Sequence, residues 1–228
     1  MLQIEVSERW HETFPGARVG VVLLANVDNS RRAKPLDQWK QKVESSLREK
    51  YSGFSRADLL ELEVLKAYRD YYRQFNKTYH VQLQLESLVH KGKSLPNISP
   101  LVDSNFAAEL NTLILTAGHD ADLLRNPVRI DTTQLGDEFT QMNGVPKPLK
   151  PGDMMMSDAD GIVCTIIYGQ DQRTPISPKT RRALYVAYAP PGVSAAAVDE
   201  QLDSVRKNVL LFAPETETEL LHVYTAGP

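Results

Sequence analysis

Hydrophobic periodicity shifts near residue 115 of this chain of 228 residues, and the shift constrains what it can fold into. Up to about residue 115 the apolar residues recur mainly at helical spacing, as in Leu59, Leu62, Leu65, Tyr68 and Tyr72. Beyond it, short apolar runs alternate with turn chemistry: Val128 to Thr132, Met154 to Ser157, Ile162 to Tyr168 and Arg182 to Tyr188. Helices first and strands afterwards predict an α+β fold rather than a regular βαβ series. Lys150-Pro-Gly-Asp153 and Asp158-Ala-Asp-Gly161 bracket the methionine run, so Met154 to Tyr168 reads as a hairpin.

The remaining elements follow from start and stop signals. Residues 2–6 and 17–26 read as strands, the second almost continuously apolar and so buried on both faces, with a short helical stretch near Trp10. After the polar run 26–34, Pro35 opens a helix through Tyr51, and Ser55 caps one long helix to about Phe75. Further helices are expected over Val81 to His90, ending at Gly92, over Asn105 to Leu115, and from Ser194 to Asn208. Thr116 to Asp122 reads as a loop and Leu220 to Tyr224 as a last strand. The tyrosines of the long helix face the core before they are platforms for bases.

Composition excludes several classes. With 42% apolar and 24% charged residues the chain is neither disordered nor collagenous. The single Cys164 forbids an internal disulfide and, lying in an apolar strand, is a poor nucleophile. Phosphate-binding GxGxxG and GxxxxGK[ST] spacings are missing, as are a GxSxG elbow and paired histidines at i, i+4, so no cofactor or metal is expected. Neither a signal peptide nor an 18-residue apolar window is visible, and the expectation is a cytoplasmic protein without membrane contact. Net charge is −3, yet residues 31–93 carry +6 and residues 94–228 carry −7. A basic segment of this kind is either a nucleic-acid footprint or a solvated helical face.

Polar residues gather at the ends of elements: Asp103-Ser104-Asn105, Gly118-His119-Asp120, and Gly169 to Thr174 leading to Thr180. Singly, each reads as a cap or turn. In order, however, the blocks SLPNISPLVDSN (94–105), TAGHDADLL (116–124), VRIDTTQLGDEFTQMNG (128–144), LKPGDMMMSDADGIVCTIIYGQDQRTPISPKT (149–180) and LYVAYAPPG (184–192) resemble the B3/B4 editing domain of the phenylalanyl-tRNA synthetase β subunit and its free-standing B3/4 relatives. The resemblance covers residues 66–192, and the flanks 1–65 and 193–228 are expected to complete a single compact domain over 1–228 with a β-sandwich-like core flanked by helices.

What the resemblance implies is a trans-acting deacylase that cleaves a mischarged aminoacyl ester at the tRNA 3′ end, with aminoacyl-tRNA as partner and no DNA. The alternative is a module that kept the fold and binds RNA, an amino acid or another small ligand without catalysis. A third reading is an esterase or amidase acting on a small aminoacyl compound. Carried over by position, the family histidine falls on His119 and its asparagine on Asn105; with Thr174 and the backbone N–H groups of residues 169–173 these would position water and stabilise an oxyanion. An ordinary imidazole, with pKa about 6.5, would titrate near neutrality. Asp103, Ser104, Gly118, Gly169, Arg173 and Thr180 are the expected substrate contacts. Val186 stands where the synthetase has the glutamate that reads the tyrosine hydroxyl, and an apolar residue cannot accept that bond. Arg73, Lys77, Lys91 and Lys93 are the expected phosphate contacts.

Overall fold

The computed structural model describes residues 2–30 and 34–227; residues 31–33, within the polar run expected before the Pro35 helix, lie outside it. The apolar run at 18–25 forms β2 (Arg18–Ala25), buried from Val19 onwards because it has a strand on each side and helix packing on a face. It pairs antiparallel with β11 (Glu217–Thr225) and with β10 (Ala183–Ala189), which in turn pairs with β3 (Thr116–Asp120), giving the order β11-β2-β10-β3. Helix α7 (Ala195–Leu210) covers this sheet, starting at the expected cap, where Ser194 accepts the Ala197 N–H. Gly20 permits the approach, since a Cβ there would sit 2.5 Å from Val198 Cγ1.

The second sheet has the order β1-β4-β7-β8-β9, from Ile4–Val6, Val128–Thr132, Met154–Asp158, Gly161–Thr165 and Gly169–Gln170. The β1–β4 pair is parallel and the others antiparallel; β7 and β8 form the expected hairpin. A separate ribbon joins β5 (Glu138–Thr140) to β6 (Pro146–Pro148), a pair too short for its alternation to show in the sequence. Helices α1 (Glu8–Thr13), α2 (Lys34–Lys50), α3 (Arg56–Leu60), α4 (Glu63–Arg73), α5 (His80–Lys91) and α6 (Pro100–Thr112) complete the chain. One buried cluster draws on both sheets and the helices, including Leu65, Leu101, Met156, Tyr185 and Val205, as an α+β fold requires. Tyr68 and Tyr79 stack at 4.1 Å inside it, so the tyrosines of the basic segment are core. Among the described residues no helix is long and apolar enough to cross a membrane.

Three expectations are corrected. The helix expected from Ser55 to Phe75 is two, broken at Leu62, whose backbone is extended. Leu59 and Leu65 are both fully buried, and in one continuous helix six residues would set them about 120° apart. Helix α6 starts at Pro100 rather than Asn105, because proline at the first turn needs no N–H partner. The stretch 116–122, expected as a loop, is largely strand β3: its small and polar residues pair with β10 instead of turning.

Candidate functional site

The shift of α6 decides where the site lies. Val102, Asn105, Phe106 and Glu109 share one helical face, and that face closes a cavity of about 600 Å³. Strand β3 contributes Thr116, Ala117 and Gly118; the segment Thr165–Gln170 forms the opposite wall; Met142 of the β5–β6 ribbon stands at the rim. Gly118 leaves room there, because a Cβ would lie 2.8 Å from Ile176 Cδ1 and 3.0 Å from Tyr185 Cε1. Gly169 also lines the cavity with φ of +81°, a conformation glycine adopts without strain.

Asn105 lines the wall as expected. Its Nδ2 donates to Thr116 O at 2.7 Å, and its buried Oδ1 has no partner among the described residues. Thr174 and His119 are brought together, His119 Nδ1 lying 2.8 Å from Thr174 Oγ1. Gln170 Nε2 donates to Thr174 O at 2.8 Å and lies 3.1 Å from His119 Nδ1, while Thr174 Oγ1 donates to Asp171 Oδ1 and His119 Nε2 is buried without a partner among the described residues. The imidazole is fully buried behind Gln170 and touches the cavity only through that amide.

Burial pushes the His119 pKa down to about 3, with the positive Arg173 adding to the effect and Asp158 opposing it. The expectation of an ordinary histidine titrating near neutrality is therefore corrected: a desolvated imidazolium is too costly, and the ring stays neutral. The oxyanion expectation narrows as well. The Asp171 N–H is bonded to Val163 O at 2.9 Å and the Gln172 N–H to Thr140 O at 3.0 Å, so neither is free to receive an oxyanion.

Several expected contacts hold the scaffold instead of lining the cavity. Asp103 is buried with Lys40, whose Nζ lies 2.9 Å away, and accepts the Ile98 N–H. Ser104 is fully buried, and its carbonyl accepts Asn208 Nδ2. Arg173 is held by Asp171 at 2.7 Å and Asp158 at 3.1 Å. Thr180 donates to Asp120 Oδ2 at 2.6 Å, and Val186 is buried in the middle of β10. Of the basic residues, Lys77 and Lys91 are exposed and Arg73 lies 3.9 Å from Asp70. Lys93 borders a recess of about 410 Å³ that shares His80 with the cavity.

Residues that sequence reasoning passed over complete the site. Glu109 is buried; its Oε1 accepts the Thr116 N–H at 2.7 Å, and desolvation raises its pKa to about 8. Its signal was a carboxylate directly after Phe106-Ala-Ala and before Leu110, four residues after Asn105. The Tyr188 hydroxyl faces the Cys164 thiol and has no nitrogen or oxygen partner among the described residues. Burial pushes that thiol up to about 12, in keeping with a core cysteine.

Among curated proteins nothing matches this chain. Of solved structures, an N-terminal fragment of the phenylalanyl-tRNA synthetase β subunit from Pyrococcus horikoshii is similar, at 10% identity and a TM-score of 0.48. The likeness covers 92% of this chain and 49% of that one, so this chain spans about half of its length. The sequence pattern of the B3/4 domain matches residues 65–208, a stretch that runs from within α4 into α7 and holds every residue that lines the cavity. By that match this chain belongs to the B3/4 domain family.

Proposed function

We propose that this chain hydrolyses an aminoacyl ester at the 3′ end of a tRNA, acting in trans on tRNA already charged. The observation that carries the reading is the cavity of a B3/4 domain: about 600 Å³, mostly apolar, with polar groups from Asn105, Glu109, Gln170 and Tyr188. A volume in this range suits a small-molecule moiety rather than a folded surface, and the apolar walls suit a side chain. Catalysis would come from placement rather than from a titrating histidine. Neutral His119 and Thr174 hold Gln170 at the wall, and the Tyr188 hydroxyl, whose neighbour is the weakly accepting Cys164 thiol, is a donor for developing oxyanion charge. Lys93, Lys91 and Lys77 would lend phosphate contacts outside the cavity, making binding weaken with salt.

The test is a time course of the protein at low salt against a panel of matched and mismatched radiolabelled aminoacyl-tRNAs, with Asn105→Ala and Gln170→Ala alongside. Selective hydrolysis of one ester, reduced in folded variants, is the expected result. Uniformly spontaneous rates would remove the deacylase reading. A non-catalytic binding module is the second reading, favoured by one observation: the family histidine is here fully buried, and its pKa of about 3 makes it a weak proton acceptor. Saturable ligand binding without turnover would select it.

A further inference from the structure

The polar corner of the cavity is built from a fork. Asn105 and Glu109, four residues apart on α6, grip the two peptide groups of one residue: Asn105 Nδ2 donates to Thr116 O and Glu109 Oε1 accepts the Thr116 N–H, each at 2.7 Å. Each side chain thereby spends one polar atom and keeps the other. Asn105 Oδ1 is buried without a donor, and no Lys, Arg or His among the described residues pairs with Glu109. Natural interiors seldom leave an acceptor unsatisfied unless something outside the chain supplies the donor. Around this corner the lining turns apolar, through Val102, Phe106, Leu115, Ile166, Ile176 and Tyr185.

We propose that Asn105 and Glu109 form an ammonium subsite: Asn105 Oδ1 and the Glu109 carboxylate receive the N–H groups of a primary ammonium whose apolar body fills the rest of the cavity. The inference rests on the deacylase reading only for its natural ligand, which would be an aminoacyl group with its α-amine free. A hydroxyl brings one hydrogen and can satisfy one acceptor, whereas an ammonium brings three and satisfies both. The charge agrees. Tyr68, Tyr72 and Tyr79 lie close enough to Glu109 to feel its charge and are all held neutral by burial, and His80, at the cavity's edge, is pushed towards its neutral form. With no Lys, Arg or His partner among the described residues, burial keeps the Glu109 carboxyl largely protonated near neutrality, and a bound ammonium would favour its ionised form.

The experiment titrates the whole chain with isobutylammonium and 2-phenylethylammonium, and with the corresponding alcohols, by calorimetry at pH 8. The ammonium compounds are expected to bind saturably and about tenfold or more tightly than the alcohols, as a charge-assisted bond implies. Glu109→Gln, which preserves size and the acceptor for Thr116, should erase that preference while leaving alcohol binding as it is, which also shows that the variant is folded. Equal affinity for amine and alcohol, a preference that survives Glu109→Gln, or no saturable binding of either amine would overturn the subsite. Selective amine binding with no aminoacyl-tRNA hydrolysed would keep the subsite and remove the deacylase. Hydrolysis of N-acetylated aminoacyl-tRNA as fast as the free form would do the reverse.

Discussion

Glu109→Gln also tests the electrostatics of the cavity through folding alone. Burial raises the Glu109 carboxyl from 4.5 to about 8, the Thr116 N–H offsetting only part of the desolvation. A folded pKa above the unfolded one means that the native state holds the proton more tightly. The group's contribution is fully present below pH 4.5 and is lost as pH rises towards 8. Integrated between pH 5.5 and 7.5, this single group lowers wild-type stability by about 2.5 kcal/mol. His119 acts in the opposite sense: its folded pKa of about 3 lies below the unfolded 6.5, so it adds about 1.4 kcal/mol over the same interval. The wild-type profile alone therefore mixes slopes of both signs, and Asp153, raised to about 6 by burial, adds to that of Glu109. Glutamine removes the Glu109 slope and keeps the others. Urea denaturation followed by the fluorescence of buried Trp10 should show Glu109→Gln gaining on wild type by about 2–3 kcal/mol between pH 5.5 and 7.5. A difference that stays flat across that interval would mean that Glu109 is ionised throughout, and the account of a desolvated carboxyl lacking a counter-ion would fall.

Other outcomes follow from the same geometry. Gly118→Ala puts a methyl group 2.8 Å from Ile176 Cδ1, at the cavity wall; it should cost about 1–3 kcal/mol by overpacking and weaken amine binding, and unchanged values in both assays would show that the wall yields freely. Lys40→Met removes the ammonium beside buried Asp103 and the donors to Pro96 O and Asn97 Oδ1, each at 2.6 Å; a loss of about 3–5 kcal/mol in denaturant is expected, and less than about 1 kcal/mol would contradict a buried ion pair. Because His119 is neutral down to about pH 3, the rate of ester hydrolysis should show no limb near 6.5 that disappears in His119→Gln. Finding one would place an accessible, titrating imidazole in the site.

Much of the architecture was legible because local chemistry and tertiary structure agree. The unbroken apolar run of β2, the Ser194 cap of α7, the left-handed Gly92 ending α5 and the turn residues around the β7–β8 hairpin all act within a few residues of themselves. The ordered blocks from Ser94 to Gly192 likewise carried the family, since order along a chain is a property of sequence. Even the start of α6 was written there, in Ser99-Pro100, and was passed over for the polar cluster that follows.

What sequence could not supply was direction and depth. Whether Asp103, Asn105 or Glu109 looks into a cavity depends on the rotation of α6 against β3, which is set by the Thr116 fork and by Lys40 from a helix some 60 residues away. The histidine that resemblance singled out is kept neutral by its place behind Gln170, because a charge taken out of water shifts its own equilibrium. The glutamate that sequence reasoning ignored is made unusual by the same desolvation. Residue types and their order determined the fold; only the three-dimensional packing, by fixing which polar atoms lose water without gaining a partner, decided where the chemistry of this protein can reside.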